Sequence, residues 1–210
     1  MKEKQSPSPK TKSKIREFIE AILTAVIIAA FIISFVVQAF KIPSGSMIPT
    51  LLVGDHLFVN KFIYGVKIPF FRKTIIPVSD PKKGDVVVFI FPLDRSKDFI
   101  KRVIGTSGDK IEIKNKKLFI NDRASTETIG IYDDDAIYPA AAQPRDNFGP
   151  VVVPKDSLFV MGDNRDHSLD SRFWGFVDLK DVQGKAFILY WSWNAEEKNI
   201  RWDRIAKLIK

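Results

Sequence analysis

The sequence predicts a mainly β protein, an antiparallel β-domain preceded by one N-terminal transmembrane helix. Three observations predict it. No residue from Ala21 to Phe40 is charged, and the run is apolar on every side. Beyond Lys41 the chain breaks into short β-branched and aromatic segments bounded by Gly, Pro, Asn and Asp. No stretch after Phe40 carries a long helical periodicity.

The first element is a basic tail, residues 1–17. Lys2, Lys4, Lys10, Lys12, Lys14 and Arg16 against Glu3 give residues 1–16 a net +5, which leaves +3 of the chain's formal +8 for the rest. Basicity confined to a tail argues for membrane topology and against a nucleic-acid partner. The second element is the expected span, residues 18–40. About 20 apolar residues at 1.5 Å rise cover the roughly 30 Å hydrocarbon core. A buried core helix would be shorter and amphipathic. A cleaved secretory signal would have a shorter apolar region followed by a small-residue site, whereas this run leads into Phe40-Lys41-Ile42-Pro43. The positive-inside rule puts the N-terminus in the cytosol and residues 41–210 on the extracytoplasmic side of a cell membrane crossed once.

Within residues 41–210 the expected strands are Val86–Phe91, Phe99–Ile104, Lys110–Ile113, Lys117–Ile120, Val151–Val153, Ser157–Met161 and Lys185–Trp191. Asn115-Lys116 and Asn121-Asp122 read as hairpin tips. Residues 64–81 and 122–150, broken by prolines, read as irregular loops. The last residues allow two readings. As a helix, Trp202, Ile205, Ala206 and Ile209 form one apolar face among basic residues, the pattern of a membrane-surface helix. The favoured reading is a strand end and short helix closing the β-domain, because so short a helix is marginal alone.

Composition excludes several chemistries. The chain has no cysteine and only His56 and His167, so a disulfide framework, a thiol nucleophile, a Cys-based zinc site and a His-rich metal centre are all out. Three polar clusters remain. Ile42-Pro43-Ser44-Gly45-Ser46-Met47-Ile48-Pro49-Thr50-Leu51 could present a nucleophilic serine beside backbone N–H groups, or be an ordinary juxtamembrane turn. In Asp98-Phe99-Ile100-Lys101-Arg102-Val103-Ile104-Gly105, alternation puts Lys101 on the face of Phe99 and Val103. A lysine buried there sheds its proton easily and can act as a base; the bland reading is an edge-strand lysine facing water. Gly162-Asp163-Asn164-Arg165-Asp166-His167-Ser168-Leu169-Asp170-Ser171-Arg172 is either a solvated loop or a hydrogen-bonded network around a site. It fails as a calcium loop, since Trp174 stands at the twelfth position and Arg165 and Arg172 oppose a cation. A Ser46–His167–Asp triad has no supporting pattern.

In that order after one apolar run, and with Gly84-Asp85-Val86-Val87-Val88-Phe89 between the first two, these clusters resemble the bacterial type I signal peptidases, over roughly residues 15–192. Residues 111–154 are less family-like and correspond to a small, variable second β subdomain. The resemblance implies a membrane-bound serine endopeptidase that removes N-terminal signal peptides of the Ala-x-Ala type from secreted preproteins. It implies Ser46 as nucleophile and Lys101 as general base, with an oxyanion hole from Ser44 and the Ser46 N–H. It implies that Ser168 orients Lys101 and that Asp170 and Arg172 form an ion pair behind the site, with Asp163 and Arg102 also structural. Phe40, Ile42, Leu51, Val88 and Ile100 would line pockets for small side chains. The expected partners are signal peptides and the lipid bilayer, with no metal and no cofactor. The rivals are a self-cleaving Ser/Lys regulator, which is more often soluble, and an inactive paralogue, which would lack Ser46 or Lys101.

Overall fold

Helix α1 spans Lys14–Phe31, sealed early by an Arg16–Glu20 pair one turn apart at 2.9 Å. The computed structural model describes residues 14–31, 36–67, 74–76 and 78–210, so the basic tail up to residue 13 and residues 32–35 of the expected span lie outside the described residues. The chain divides into two compact units, Met1–Val36 and Val37–Lys210. In the first, Ile15, Phe18, Ile19, Ile22, Leu23, Val26, Ile27 and Ile28 are all exposed. Lys14, Arg16, Glu17 and Glu20 occupy its first turns, so the uncharged part, Ala21–Phe31, covers only about 16 Å at 1.5 Å per residue. Among the described residues, no helix is long and apolar enough to cross a membrane.

The expectation of helix through residue 40 is corrected at its end. Val37–Lys41 is a strand, β1, paired antiparallel with β2, Asp55–Asn60. The reason is a partner that composition does not reveal: β2 supplies a full ladder from Val37↔Asn60 to Lys41↔His56.

The remaining strands follow in chain order. β3 (Val66–Lys67) and β4 (Thr74–Ile76) form a small hairpin. β5 (Val86–Ile90), β6 (Asp98–Thr106), β7 (Lys110–Lys114), β8 (Lys117–Ile120) and β9 (Arg123–Ala124) come next. After the long connection come β10 (Phe148–Val152), β11 (Ser157–Met161), the one-turn helix α2 (Ser171–Trp174), β12 (Val177–Asp178), β13 (Val182–Asn194) and β14 (Asn199–Ile200). The main sheet has the order β1-β2-β13-β5-β6-β11-β12, with β14 added to β13, and a second sheet has the order β10-β7-β8-β9. Among the described residues every strand pairing is antiparallel. The second sheet lies within residues 110–152, inside the compact unit Val37–Lys210.

Both hairpin tips take the double left-handed conformation that a two-residue turn between twisted strands requires. Their φ values are 48° and 65° at Asn115 and Lys116, and 54° and 64° at Asn121 and Asp122. Strand alternation then divides the core. Val86 and Val88 enter one cluster with Ile42, Met47, Leu51, Leu57, Val59 and Leu189. Val87 and Phe89 enter a second with Val103, Leu158 and Val160. Ile104, Phe159 and Met161 face a third, shared with Ile111 and Ile113 of the small sheet. The strands β5, β6 and β11 are therefore covered on both faces, which is why β5 and most of β11 read as apolar runs.

The C-terminal segment closes the β-domain. A single 3-10 turn occupies Trp202–Arg204, Leu208 bridges Ile188, and Ile209 is buried in the first cluster. Trp202 is 71% exposed, so the expected alternative helical face does not form. The segment is fixed by Arg204, whose guanidinium donates to both oxygens of buried Asp55 at 3.1 and 2.6 Å. Burial alone would raise the Asp55 pKa, but Arg204, the Ser192 hydroxyl and the Leu52 N–H hold it below the ordinary carboxylate value. Replacing Arg204 by Ala strands that carboxylate, and urea denaturation is expected to show a loss of about 3–5 kcal/mol.

Candidate active site

Ser46 lies in the turn between β1 and β2. Its neck is closed by Ile42 N–H donating to Asp55 O at 2.8 Å and Gly54 N–H donating to Ile42 O at 3.0 Å. Met47 and Leu51 are fully buried beneath, so the turn is clamped to the core while Ser46 stays half-exposed and Ser44 exposed. Lys101 stands at the middle of β6, 4% exposed, and its Nζ donates to Ser46 Oγ at 2.5 Å. The face predicted by alternation is observed: Phe99 and Val103 pack in the second cluster, and Nζ lies 5.9 Å from the Phe99 ring centre. Among the described residues the Ser46 N–H has no acceptor, as an oxyanion donor requires.

The loop from Gly162 to Arg172 packs against the Ser46 turn. Asn164 N–H donates to Ser46 O at 3.1 Å, and the Asn164 amide reaches Gly45 O at 3.4 Å. Gly162 is the contact point: a Cβ built on it would lie 2.3 Å from both Ser46 O and Ser168 Oγ. Thr50 Oγ1 donates to Asp163 Oδ2 at 2.5 Å, and Arg102 forks onto Asp163 with two bonds of 2.7 Å. Behind them Arg172 pairs with Asp170 at 2.8 Å, both completely buried. Asp170 also caps α2 and accepts from Gly162 N–H at 3.1 Å.

These buried charges decide the state of Lys101. Its pKa is lowered to about 8, first by burial, with Arg172 adding to the fall while Asp170 and Asp163 oppose it. Burial would raise the Asp170 pKa, but the Arg172 guanidinium beside it holds the carboxyl below its ordinary range. Because each carboxylate has its own arginine, neither supplies a full counter-charge to the lysine, and desolvation wins.

Of the residues expected in the site, Ser44, Ser46, Lys101, Ser168, Asp170, Arg172, Asp163 and Arg102 all fall on this one constellation. Ser168 is buried beside Gly162, but its Oγ makes no hydrogen bond to Lys101. Phe40, Ile42, Leu51, Val88 and Ile100 gather in a single cluster that is mostly closed core: Ile42, Leu51 and Val88 are buried and Phe40 and Ile100 are partly open. His167 is exposed, with Nε2 3.0 Å from Asp133 Oδ1, and does not touch the Ser46 hydroxyl. Gly162, Thr50, Asn164 and Leu169 gain their place at the site only from the packing. Gly162 carried a signal, since it opens the polar run straight after a strand, but only the packed loop reveals why it must lack a side chain.

An open cleft of about 290 Å³ runs beside Ser46 and Lys101, with Ser44, Asn164, Phe99, His167 and Leu169 in its walls. Larger clefts of about 390 and 430 Å³ share Lys83, but its amine pairs with Asp109 at 3.2 Å and does not hold a hydroxyl as Lys101 holds Ser46. Among the described residues no three His, Asp or Glu side chains converge on a metal position. A hydroxyl held by an amine whose pKa is lowered to about 8, with the free Ser46 N–H beside it, is equipped for acyl transfer.

The family described as "Signal peptidase, peptidase S26" matches residues 15–191. The chain is 40% identical to a signal peptidase I of Pseudomonas fluorescens and 35% identical to that of Pseudomonas aeruginosa, in each case over 76% of this chain and 66% of the relative. It is 35% identical to a signal peptidase I of Buchnera aphidicola subsp. Acyrthosiphon pisum over 87% of this chain and 79% of that one. The chain thus spans just under two thirds, 66%, of the length of the two Pseudomonas relatives.

The close approach at Gly162 generates a test. Gly162→Ala forces Ser46 O or the Ser168 side chain to move, and the expected cost is about 1–3 kcal/mol of stability by urea denaturation.

Proposed function

The chain belongs to the signal peptidase family, peptidase S26, and on that premise we propose that it is a membrane-bound serine endopeptidase that cleaves N-terminal signal peptides from exported preproteins. The observation that carries the mechanism is the 2.5 Å contact of Ser46 Oγ with a buried lysine whose pKa is lowered to about 8. In the resting ammonium form Lys101 donates to Ser46. Once deprotonated it accepts the Ser46 proton as Oγ attacks the scissile carbonyl carbon. The carbonyl π electrons move to oxygen, where the Ser44 hydroxyl and the Ser46 N–H meet the developing charge. One such donor is worth about 3–4 kcal/mol. Collapse of the tetrahedral intermediate breaks the C–N bond, and the lysine ammonium protonates the leaving amine. Water then attacks the Ser46 ester while Lys101 takes its proton, the signal peptide leaves as the acid, and Ser46 recovers its hydrogen.

Two features support the substrate and the setting. The cluster of Ile42, Leu51 and Val88, closed by half-buried Phe40 and Ile100, leaves little depth for side chains, which favours small residues one and three positions before the cut, the Ala-x-Ala pattern. Helix α1 exposes apolar residues all round, a surface suited to lipid, and the basic tail favours a cytosolic N-terminus with the catalytic unit on the other side. Tethering enzyme and precursor to one bilayer raises their effective concentration. The direct test is incubation of the purified full chain with a preprotein, Ser46→Ala serving as the inactive control.

The pockets and the base each predict measurable outcomes. Replacing the small residue before the cut by Trp or Arg is expected to abolish processing on a gel assay; efficient cleavage of that precursor would reject the shallow-pocket reading. For the base, kcat/KM is expected to rise about tenfold per pH unit up to about pH 8 and then level, because only the neutral amine accepts the proton. Lys101→Ala and Lys101→Arg should both be inactive, and His167→Ala should cost no more than a few-fold. The same shift sets stability. The unfolded chain binds the extra proton between about pH 8 and 10.5, so stability rises with pH across that window. Lys101→Met should therefore stabilise the fold by up to about 3 kcal/mol at pH 7, a gain that fades toward pH 10.5 in denaturation curves.

A further inference from the structure

The loop from Gly162 to Arg172 is almost wholly buried. Asp163, Asn164, Arg165, Asp166, Ser168, Asp170, Ser171 and Arg172 are all below one tenth exposed, and two residues break the pattern. His167 and Leu169 stand out of the loop, Leu169 at 54% exposure, and both enter the walls of the cleft that holds Ser46 and Lys101. His167 is occupied with Asp133 at the rim. Leu169 cannot retreat, because its neighbours are fixed: Asp170 by Arg172 and by Gly162 N–H, and Asp166 by Lys116 and the N–H groups of Asp133 and Asp134, each at 3.0 Å. Leu169 is thus a fixed apolar part of the cleft wall that also holds Ser46 and Lys101.

The chemistry says which part of a substrate arrives there. The group that protonates the leaving amine must come within hydrogen-bond reach of that nitrogen, so the residue carrying it lies against Lys101. Lys101 shares the open cleft with Phe99 and Leu169, whereas Ile42, Leu51 and Val88, the proposed floor for residues before the cut, form no part of its walls. We propose that Leu169, together with Phe99, forms the subsite for the side chain of the first residue after the scissile bond, and that this subsite favours an uncharged, apolar side chain. The assignment rests on the reading of Ser46 and Lys101 as a peptidase dyad.

The test uses the full chain and preproteins that differ only in the residue after the cut, Ala, Leu or Lys. The wild type is expected to process the Leu precursor with higher kcat/KM than the Ala precursor, and the Lys precursor least well. Leu169→Ala should lower the Leu-to-Ala ratio by about tenfold, Leu169→Met should restore it, and Leu169→Asp should turn the preference toward Lys. Leu169 is exposed, so the thermal midpoint should hold in all three variants and a loss of fold cannot mimic the result. An unchanged ratio in active, folded variants overturns the subsite. So does a changed discrimination at the residue before the cut instead. A wild type that cleaves none of the precursors, matching Ser46→Ala, would overturn the peptidase reading and the subsite with it.

Discussion

The interaction on which the site depends is the removal of the Lys101 ammonium from water. An amine with an ordinary pKa of 10.5 is no base at neutral pH, and burial brings it to about 8. That shift survives only if no neighbouring carboxylate offers the lysine a strong partner. The fold meets this condition by pairing each buried acid with its own arginine, Asp163 with Arg102 and Asp170 with Arg172. Removing one member of either pair would do more than lose an ion pair. It would leave an uncompensated charge beside Lys101 and reset its pKa, which ties the stability of the loop to the chemistry of the strand.

The main sheet supplies the dry surroundings. Phe91 and Phe99 stack at 4.2 Å, and Trp174 from α2 stands edge-on to Phe91 at 5.8 Å, so an aromatic layer flanks the face of β6 that carries the lysine. β11 pairs with β6 and delivers the Gly162–Arg172 loop directly from its end. Gly162 then brings that loop into backbone contact with Ser46 O. Ser46 and Lys101 come from segments 55 positions apart, and both are held by a third segment that arrives more than 60 positions later.

The connection between β9 and β10, irregular as its prolines foretold, is more than a spacer. Ile131 N–H donates to Asp163 O at 2.8 Å and Arg165 N–H returns to Ile131 O at 2.9 Å, a short parallel bridge onto the site loop. Arg145 binds Asp146 and Asp134, and its backbone oxygen accepts from Arg172 at 2.7 Å. This connection therefore braces the loop that also touches Ser46. The cost of burying so many charges is offset only because nearly all of them are hydrogen-bonded within this network.

Local pattern determined much of this protein. The strand Ser157–Met161, the strand Lys117–Ile120 and the Asn-led hairpin tips follow from β propensity and from the left-handed conformations that Asn and Asp tolerate. The face on which Lys101 sits follows from the two-residue repeat of a strand. The Ser, Lys and polar-loop motifs are legible in sequence as three segments, and the fold packs them together. Tertiary structure decided what local pattern cannot encode. Val37–Phe40 continue an apolar run yet form β1, because β2 offers them a ladder and hydrogen bonding to a partner is a long-range event. Asp55 looks like a turn residue and is a fully buried anchor, because Arg204 reaches it from 149 positions away. Leu169 is one apolar residue in a polar run, and only the packing of every neighbour inward leaves it facing the cleft.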